Sequence, residues 1–132
     1  MLAVIMSMKP EWWEKIQTGE KTLEIRKSAP KHENNPAIEW PMLVLVYVSG
    51  TGAVQGQFIC QGWIKTNLLE NLEKRSCVPL DELREYANRK SLYGWMISSV
   101  EKYETPEPLA EFGISRPPMS WQYIELPDFS EV

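Results

Sequence analysis

Lys21, Glu24 and Arg26 fall together in the segment Gly19-Glu20-Lys21-Thr22-Leu23-Glu24-Ile25-Arg26. An ammonium, a carboxylate and a guanidinium at this spacing can hold an anion, read the polar edge of a heterocycle or relay a proton. Each requires the backbone to aim all three groups at one place. The aim comes from a helix that hands over to a strand. Pro10-Glu-Trp-Trp-Glu-Lys-Ile-Gln-Thr18 reads as a short helix, with Pro10 in the first turn, where its missing N–H costs nothing, and Gly19 able to adopt the left-handed conformation that ends it. In Thr22-Leu-Glu-Ile-Arg26 apolar and polar residues alternate, so Leu23 and Ile25 face a core while Glu24 and Arg26 share the opposite face. Lys21 would point with Leu23 by strict alternation; it reaches Glu24 and Arg26 only from the turn, before the pleat begins. Taken alone, the pattern fits a solvated strand face with a Glu24–Arg26 pair equally well, and such pairs contribute little.

The rest of the chain supplies a sheet. Leu2 to Ser7 is a short apolar run, and Met42 to Val48 is a nearly continuous one that belongs at the centre of a sheet. Between them, Ser28 to Pro41 is a loop, marked by three prolines, two asparagines and His32. Ala53 to Lys65 reads as a long strand in which Gly56 and Gly62 mark bulges. Asn67-Leu-Leu-Glu70 has the pattern of a capping box opening a helix to about Arg75, and Pro79 to about Asn88 forms a second helix with Leu80, Leu83 and Ala87 at helical spacing. Tyr93 to Tyr103 alternates as a strand, with Trp95, Ile97 and Ser99 on one face. Leu109 to Gly113 is at most one helical turn, and Trp121 to Leu126 closes the sheet. Five or six strands with about three short helices predict an α+β fold, a small curled sheet covered at its ends. One domain over residues 1–126 and a tail at 127–132 are expected.

Composition narrows the chemistry. At 132 residues, 43% hydrophobic and 24% charged, the chain can bury a core without disulfides or metals. No apolar run approaches the roughly 20 residues of a membrane helix, and Met1 to Met6 is too short and lacks the basic flank of a signal peptide, so a cytoplasmic protein with no membrane partner is expected. Cys60 and Cys77 form no C-x-x-C pair and are expected reduced. With a single histidine and no ligand cluster, no metal and no cofactor are expected. No Gly-x-Ser-x-Gly elbow is present, and His32 sits in a polar loop rather than beside a nucleophile. Net charge is −4, which disfavours long duplex DNA, yet residues 1–32 carry +2 and the remainder −6. A small basic cleft in an acidic body suits a nucleotide, a nucleoside or a short single strand.

The blocks Ser7-Met-Lys-Pro10 and Gly19-x-Lys21-x-x-Glu24-x-Arg26 resemble the opening of ASCH-domain proteins, relatives of the PUA, EVE and YTH domains. Arg116-Pro-Pro-Met-Ser-Trp-Gln-Tyr123 is similar to the family's C-terminal Pro-Gln-Ser-Phe-x-Tyr element, with Met119 and Trp121 in place of the usual Gln and Phe. Val44 to Ser49 and Gly56-Gln-Phe58 resemble its central strands. The resemblance implies a PUA-like mixed β pseudobarrel. It also implies a binding module for RNA, a modified base or a nucleotide-like ligand, in a cleft of Lys9, Lys21, Glu24, Arg26, Tyr47, Ser49, Ser120, Trp121 and Tyr123. Lys9, Lys21 and Arg26 would meet phosphate or ring acceptors, Glu24 an exocyclic amine or ribose hydroxyl, and Trp121 would stack on a base. Some small ASCH proteins hydrolyse N4-acylated cytidines with a lysine matched by Lys21 and a threonine nucleophile whose place is taken here by Glu24. The alternative expectation is thus a hydrolase, acting on an acylated cytidine or on RNA through Lys21 and Glu24.

Overall fold

A computed structural model of the chain describes residues 1–127; most of the tail expected at 127–132 lies outside the described residues. Six strands form one mixed sheet: β1 (Leu2–Met8), β2 (Leu23–Arg26), β3 (Met42–Val48), β4 (Ala53–Thr66), β5 (Leu92–Pro108) and β6 (Trp121–Glu125). Three α-helices accompany it, α1 (Pro10–Thr18), α2 (Glu73–Ser76) and α3 (Leu80–Ala87), with 3₁₀ turns at Leu69–Asn71 and Leu109–Phe112. Strand order is β2-β5-β4-β3-β1-β6. Only β1 and β3 run parallel, joined by the crossover that contains α1 and β2; the other pairs are antiparallel. The sheet is α+β and pseudobarrel-like but not closed, because no strand ladder joins its outer strands β2 and β6.

Local chemistry accounts for most boundaries. Helix α1 begins on Pro10 and stops at Gly19, which takes a φ of 84° and donates its N–H to the Ile16 carbonyl. Helix α3 ends at Asn88, also left-handed at φ 48°. The region read as a capped helix from Asn67 differs: the chain forms the 3₁₀ turn Leu69–Asn71 and then the single turn α2, with no side-chain cap on either. Asn67 precedes both, and the Leu68, Leu69 and Leu72 spacing is met by a tighter turn that buries Leu69 and Leu72. In β5 the alternation expected through Ser99 breaks there, where a φ of 48° accompanies shifts in register against β4.

Three apolar clusters fill the fold. Trp13 and Ile16 of α1 pack with Val4, Met6, Val44, Val46, Phe58 and Trp95 on one face of the sheet. Leu23 and Ile25 meet Leu72, Leu83 and Leu92 beneath α2 and α3. On the other side, Ala3, Ile5, Leu45, Tyr47 and Ile124 are covered by Tyr103, Leu109 and Phe112.

Candidate functional site

Lys21 is placed by its own backbone. Its N–H donates to the Lys15 carbonyl at 3.0 Å, and the Thr22 N–H donates to the Arg75 carbonyl at 2.8 Å, so the turn between α1 and β2 is pinned to a helix on each side. The strand begins only at Leu23, so Lys21 escapes the alternation and swings to the side of Glu24. Its side chain is buried at 1% exposure. Nζ donates to the Ser76 carbonyl at 2.6 Å, lies 3.5 Å from Glu24 Oε1 and sits 4.8 Å from the centre of the Trp12 ring. Burial pushes its pKa below the ordinary 10.5, and the Glu24 carboxylate pulls it part of the way back.

Glu24 connects both cations. Oε1 also accepts the Ile25 N–H at 3.2 Å, while Oε2 accepts from Arg26 Nη2 at 3.1 Å. Arg26 reaches further. Nη2 donates to the Ser7 carbonyl at 2.7 Å, and Nη1 donates to Ser120 Oγ at 3.0 Å and to the Ser120 carbonyl at 3.3 Å. The guanidinium therefore bridges the two outer edges of the open sheet, β2 on one side and the approach to β6 on the other.

These groups form the floor of a pocket of about 350 Å³. Lys9 and Trp12 border it at the start of α1, and Val78, Glu82, Leu83 and Tyr86 border it from α3 and the segment before it. A floor rich in charge between aromatic and aliphatic walls is suited to a flat polar ring whose faces seek apolar contact and whose edge seeks hydrogen bonds. Several donors are already committed, since both terminal nitrogens of Arg26 are engaged with protein acceptors. Among the described residues the Lys9 ammonium and the Glu82 carboxylate make no hydrogen bond or ion pair, leaving a donor group and an acceptor group at the wall for a ligand. The Lys27 ammonium lies 4.7 Å from the centre of the Tyr86 ring, and burial raises the Tyr86 phenol pKa.

Of the residues expected in the cleft, the structure brings Lys9, Lys21, Glu24 and Arg26 together here. Ser120 takes part from behind, as an acceptor for Arg26. Trp121 is turned to the fold: its ring meets Trp95 edge-on at 5.1 Å and Tyr123 at 5.3 Å, and its Nε1 donates to Ser28 Oγ at 3.1 Å. Tyr47 lies buried among Ala3, Ile5 and Leu45, and Ser49 is exposed in the turn after β3, its N–H donating to the Met8 carbonyl. Neither borders the pocket. The aromatic walls are Trp12 and Tyr86 instead. Trp12 had a trace in sequence, because adjacent Trp12 and Trp13 cannot both face the core. Glu82 and Tyr86, four apart on α3, flank its buried Leu83.

Among the described residues no group of His, Cys, Asp and Glu is arranged to hold a metal ion, and no helix is long and apolar enough to cross a membrane. The family model for the ASCH domain matches residues 6–109. The fold is similar to the crystal structure of an ASCH protein from Zymomonas mobilis at a TM-score of 0.76 and 16% identity, covering 93% of this chain and 87% of that one. A variant of that protein superposes at 0.77 with 15% identity, covering 93% and 88%. No curated protein matches the chain in sequence.

Proposed function

Since this chain belongs to the ASCH domain family, we propose that it is a binding module whose α1/α3 pocket takes the base of an RNA, a modified base or a nucleotide-like ligand. The observation that carries the reading is the buried Lys21–Glu24–Arg26 cluster at the floor of a cavity walled by Trp12 and Tyr86. A nucleobase has two apolar faces and a polar rim. Rings stack on Trp12 and Tyr86, each such contact contributing about 1–3 kcal/mol. The rim meets Lys9 and Glu82, with the remaining N–H of Lys21 below.

The test is a screen of short single-stranded RNAs and free or modified nucleosides by calorimetry and thermal shift. Binding of at least one member, weakened tenfold or more by Trp12→Ala and by Lys21→Ala, supports the reading. No stabilisation by any member in a folded sample ends it. A second reading, a hydrolase of acylated cytidine or of RNA, has one observation in its favour: Lys21 is buried against a carboxylate, and burial lowers its pKa towards the range in which an amine exchanges protons. Release of acetate from N4-acetylcytidine, or cleavage of a short RNA, abolished by Lys21→Ala, decides between binder and enzyme.

A further inference from the structure

On the other flank of α3 lies a second concavity, of about 400 Å³, lined by Asn67, Leu69, Arg84, Ala87, Arg89 and Lys90. No carboxylate borders it. Among the described residues none of Arg84, Arg89 and Lys90 is paired with an acid, in a chain whose net charge is −4. Cations near the C-terminal end of a helix favour its dipole, which explains a basic residue at Arg84 or Lys90 singly. The dipole does not require three of them around one hollow. Their convergence is built by the backbone: Asn88 and Arg89 are both left-handed, at φ 48° and 69°, and reverse the chain so that residues after the helix return to the flank that carries Arg84. Helix α3 thus presents Glu82 and Tyr86 to the first pocket and Arg84 and Ala87 to the second.

We infer that the concavity of Arg84, Arg89 and Lys90 binds the phosphate backbone of a single-stranded RNA. The inference rests on the reading of the α1/α3 pocket as a base site: a strand whose base enters that pocket can leave across α3, whose diameter is about 10 Å. On the far side it meets three donors suited to phosphate oxygens, two of them guanidinium forks. The −6 charge of residues 33–132 makes the location informative, because repulsion elsewhere on that body confines a phosphate chain to the few places where cations outnumber acids.

The experiment compares a fluorescently labelled pentanucleotide RNA with a free nucleoside on the wild type and on the triple variant Arg84→Gln, Arg89→Gln, Lys90→Gln. All three residues are exposed, and unchanged melting checks the fold. Expected is a loss of RNA affinity on the order of tenfold or more, a salt dependence flatter by about 2 in log–log slope, and unchanged nucleoside affinity. A control variant, Lys15→Gln, Lys102→Gln, Arg116→Gln, should keep most of the RNA affinity. If nucleoside binds but the triple variant keeps the RNA affinity and slope, or the control loses as much, the phosphate site is overturned and the base pocket stands. If the RNA binds with the expected salt behaviour while no nucleoside does, the base pocket fails and the phosphate site stands. Binding of neither overturns both.

Discussion

Replacing Glu24 by alanine should be among the most damaging single changes on the motif, and the damage should fade as the pH rises. Glu24 has 6% side-chain exposure; it is the only carboxylate, among the described residues, within ion-pair distance of Lys21 at 1% and Arg26 at 12%. Little solvent screening applies at such burial, so removing the shared partner belongs with the breaking of a buried pair, about 3–5 kcal/mol. A ceiling follows from proton loss. Making an ordinary lysine of pKa about 10.4 neutral at pH 7 costs about 4.6 kcal/mol, at 1.36 kcal/mol per unit, and about 1.9 kcal/mol at pH 9. In the variant the folded pKa of Lys21 lies further below its unfolded value, since burial remains and the carboxylate is gone. The folded state then holds fewer protons than the unfolded state between those two values. Because burial also holds the wild-type Lys21 below 10.5, the stability of the variant climbs relative to wild type as the pH rises between the two folded pKa values, a window that closes below 10.5. Urea unfolding followed by tryptophan fluorescence should show a loss of about 3–4 kcal/mol at pH 7 and about 2 kcal/mol at pH 9. Adding Lys21→Met should recover much of the pH 7 loss, since Arg26 keeps its Ser7 and Ser120 acceptors. A loss under about 1 kcal/mol at pH 7, the range of an exposed pair, or an equal loss at both pH values, would refute the reasoning.

Arg26→Lys keeps the charge but replaces a fork by one nitrogen, leaving acceptors at Ser7 and Ser120 unmet; the expected loss is about 2 kcal/mol, read as a drop of several degrees in the unfolding midpoint. Gly56→Ala should destabilise by about 3 kcal/mol or more, because a Cβ there would overlap the Glu101 carbonyl and the Trp13 ring; a stably folded variant with an unmoved midpoint counts against the packing of α1 on the sheet. Of the two thiols, Cys60 is fully buried with its pKa pushed up to about 11 by burial, while Cys77 is partly exposed, so iodoacetamide at pH 7 should label one site per native molecule and two after unfolding.

The convergence of Lys21, Glu24 and Arg26 was legible because each step obeys local rules: a helix stop at Gly19, a turn of three residues, then a two-residue pleat. The extents of α1, β1 and β3 follow from equally local signals. What escaped is what distant segments decide. Periodicity in α3 identifies Leu83 and Ala87 as its buried face, but nothing local says that the flank bearing Glu82 and Tyr86 borders a cavity against α1. Trp121 looked free to stack because its neighbours in sequence are polar and rigid; in the fold its ring is held by Trp95, 26 positions earlier, and by Ser28, at a separation of 93. The Asn67-x-x-Glu70 pattern suggested a capping box, yet the leucines that follow are drawn into a 3₁₀ turn by the space beneath α3.

The Arg26 bridge also sets an order for assembly. Its bonds to Ser120 join groups 94 positions apart, and β6 itself is held against β1 from Leu2–Glu125 to Met6–Trp121. Contacts at such separations require large loops to close before they return any stabilisation, so they form after the β3–β4 hairpin, whose strands are joined by a short turn. A nascent chain emerging from the ribosome can build that hairpin early, but it holds the Arg26 fork unfastened until Trp121 to Glu125 have been synthesised. The pocket floor is therefore a late product of folding, and a chain truncated before Ser120 should keep the hairpin while losing the ordered Lys21–Glu24–Arg26 cluster.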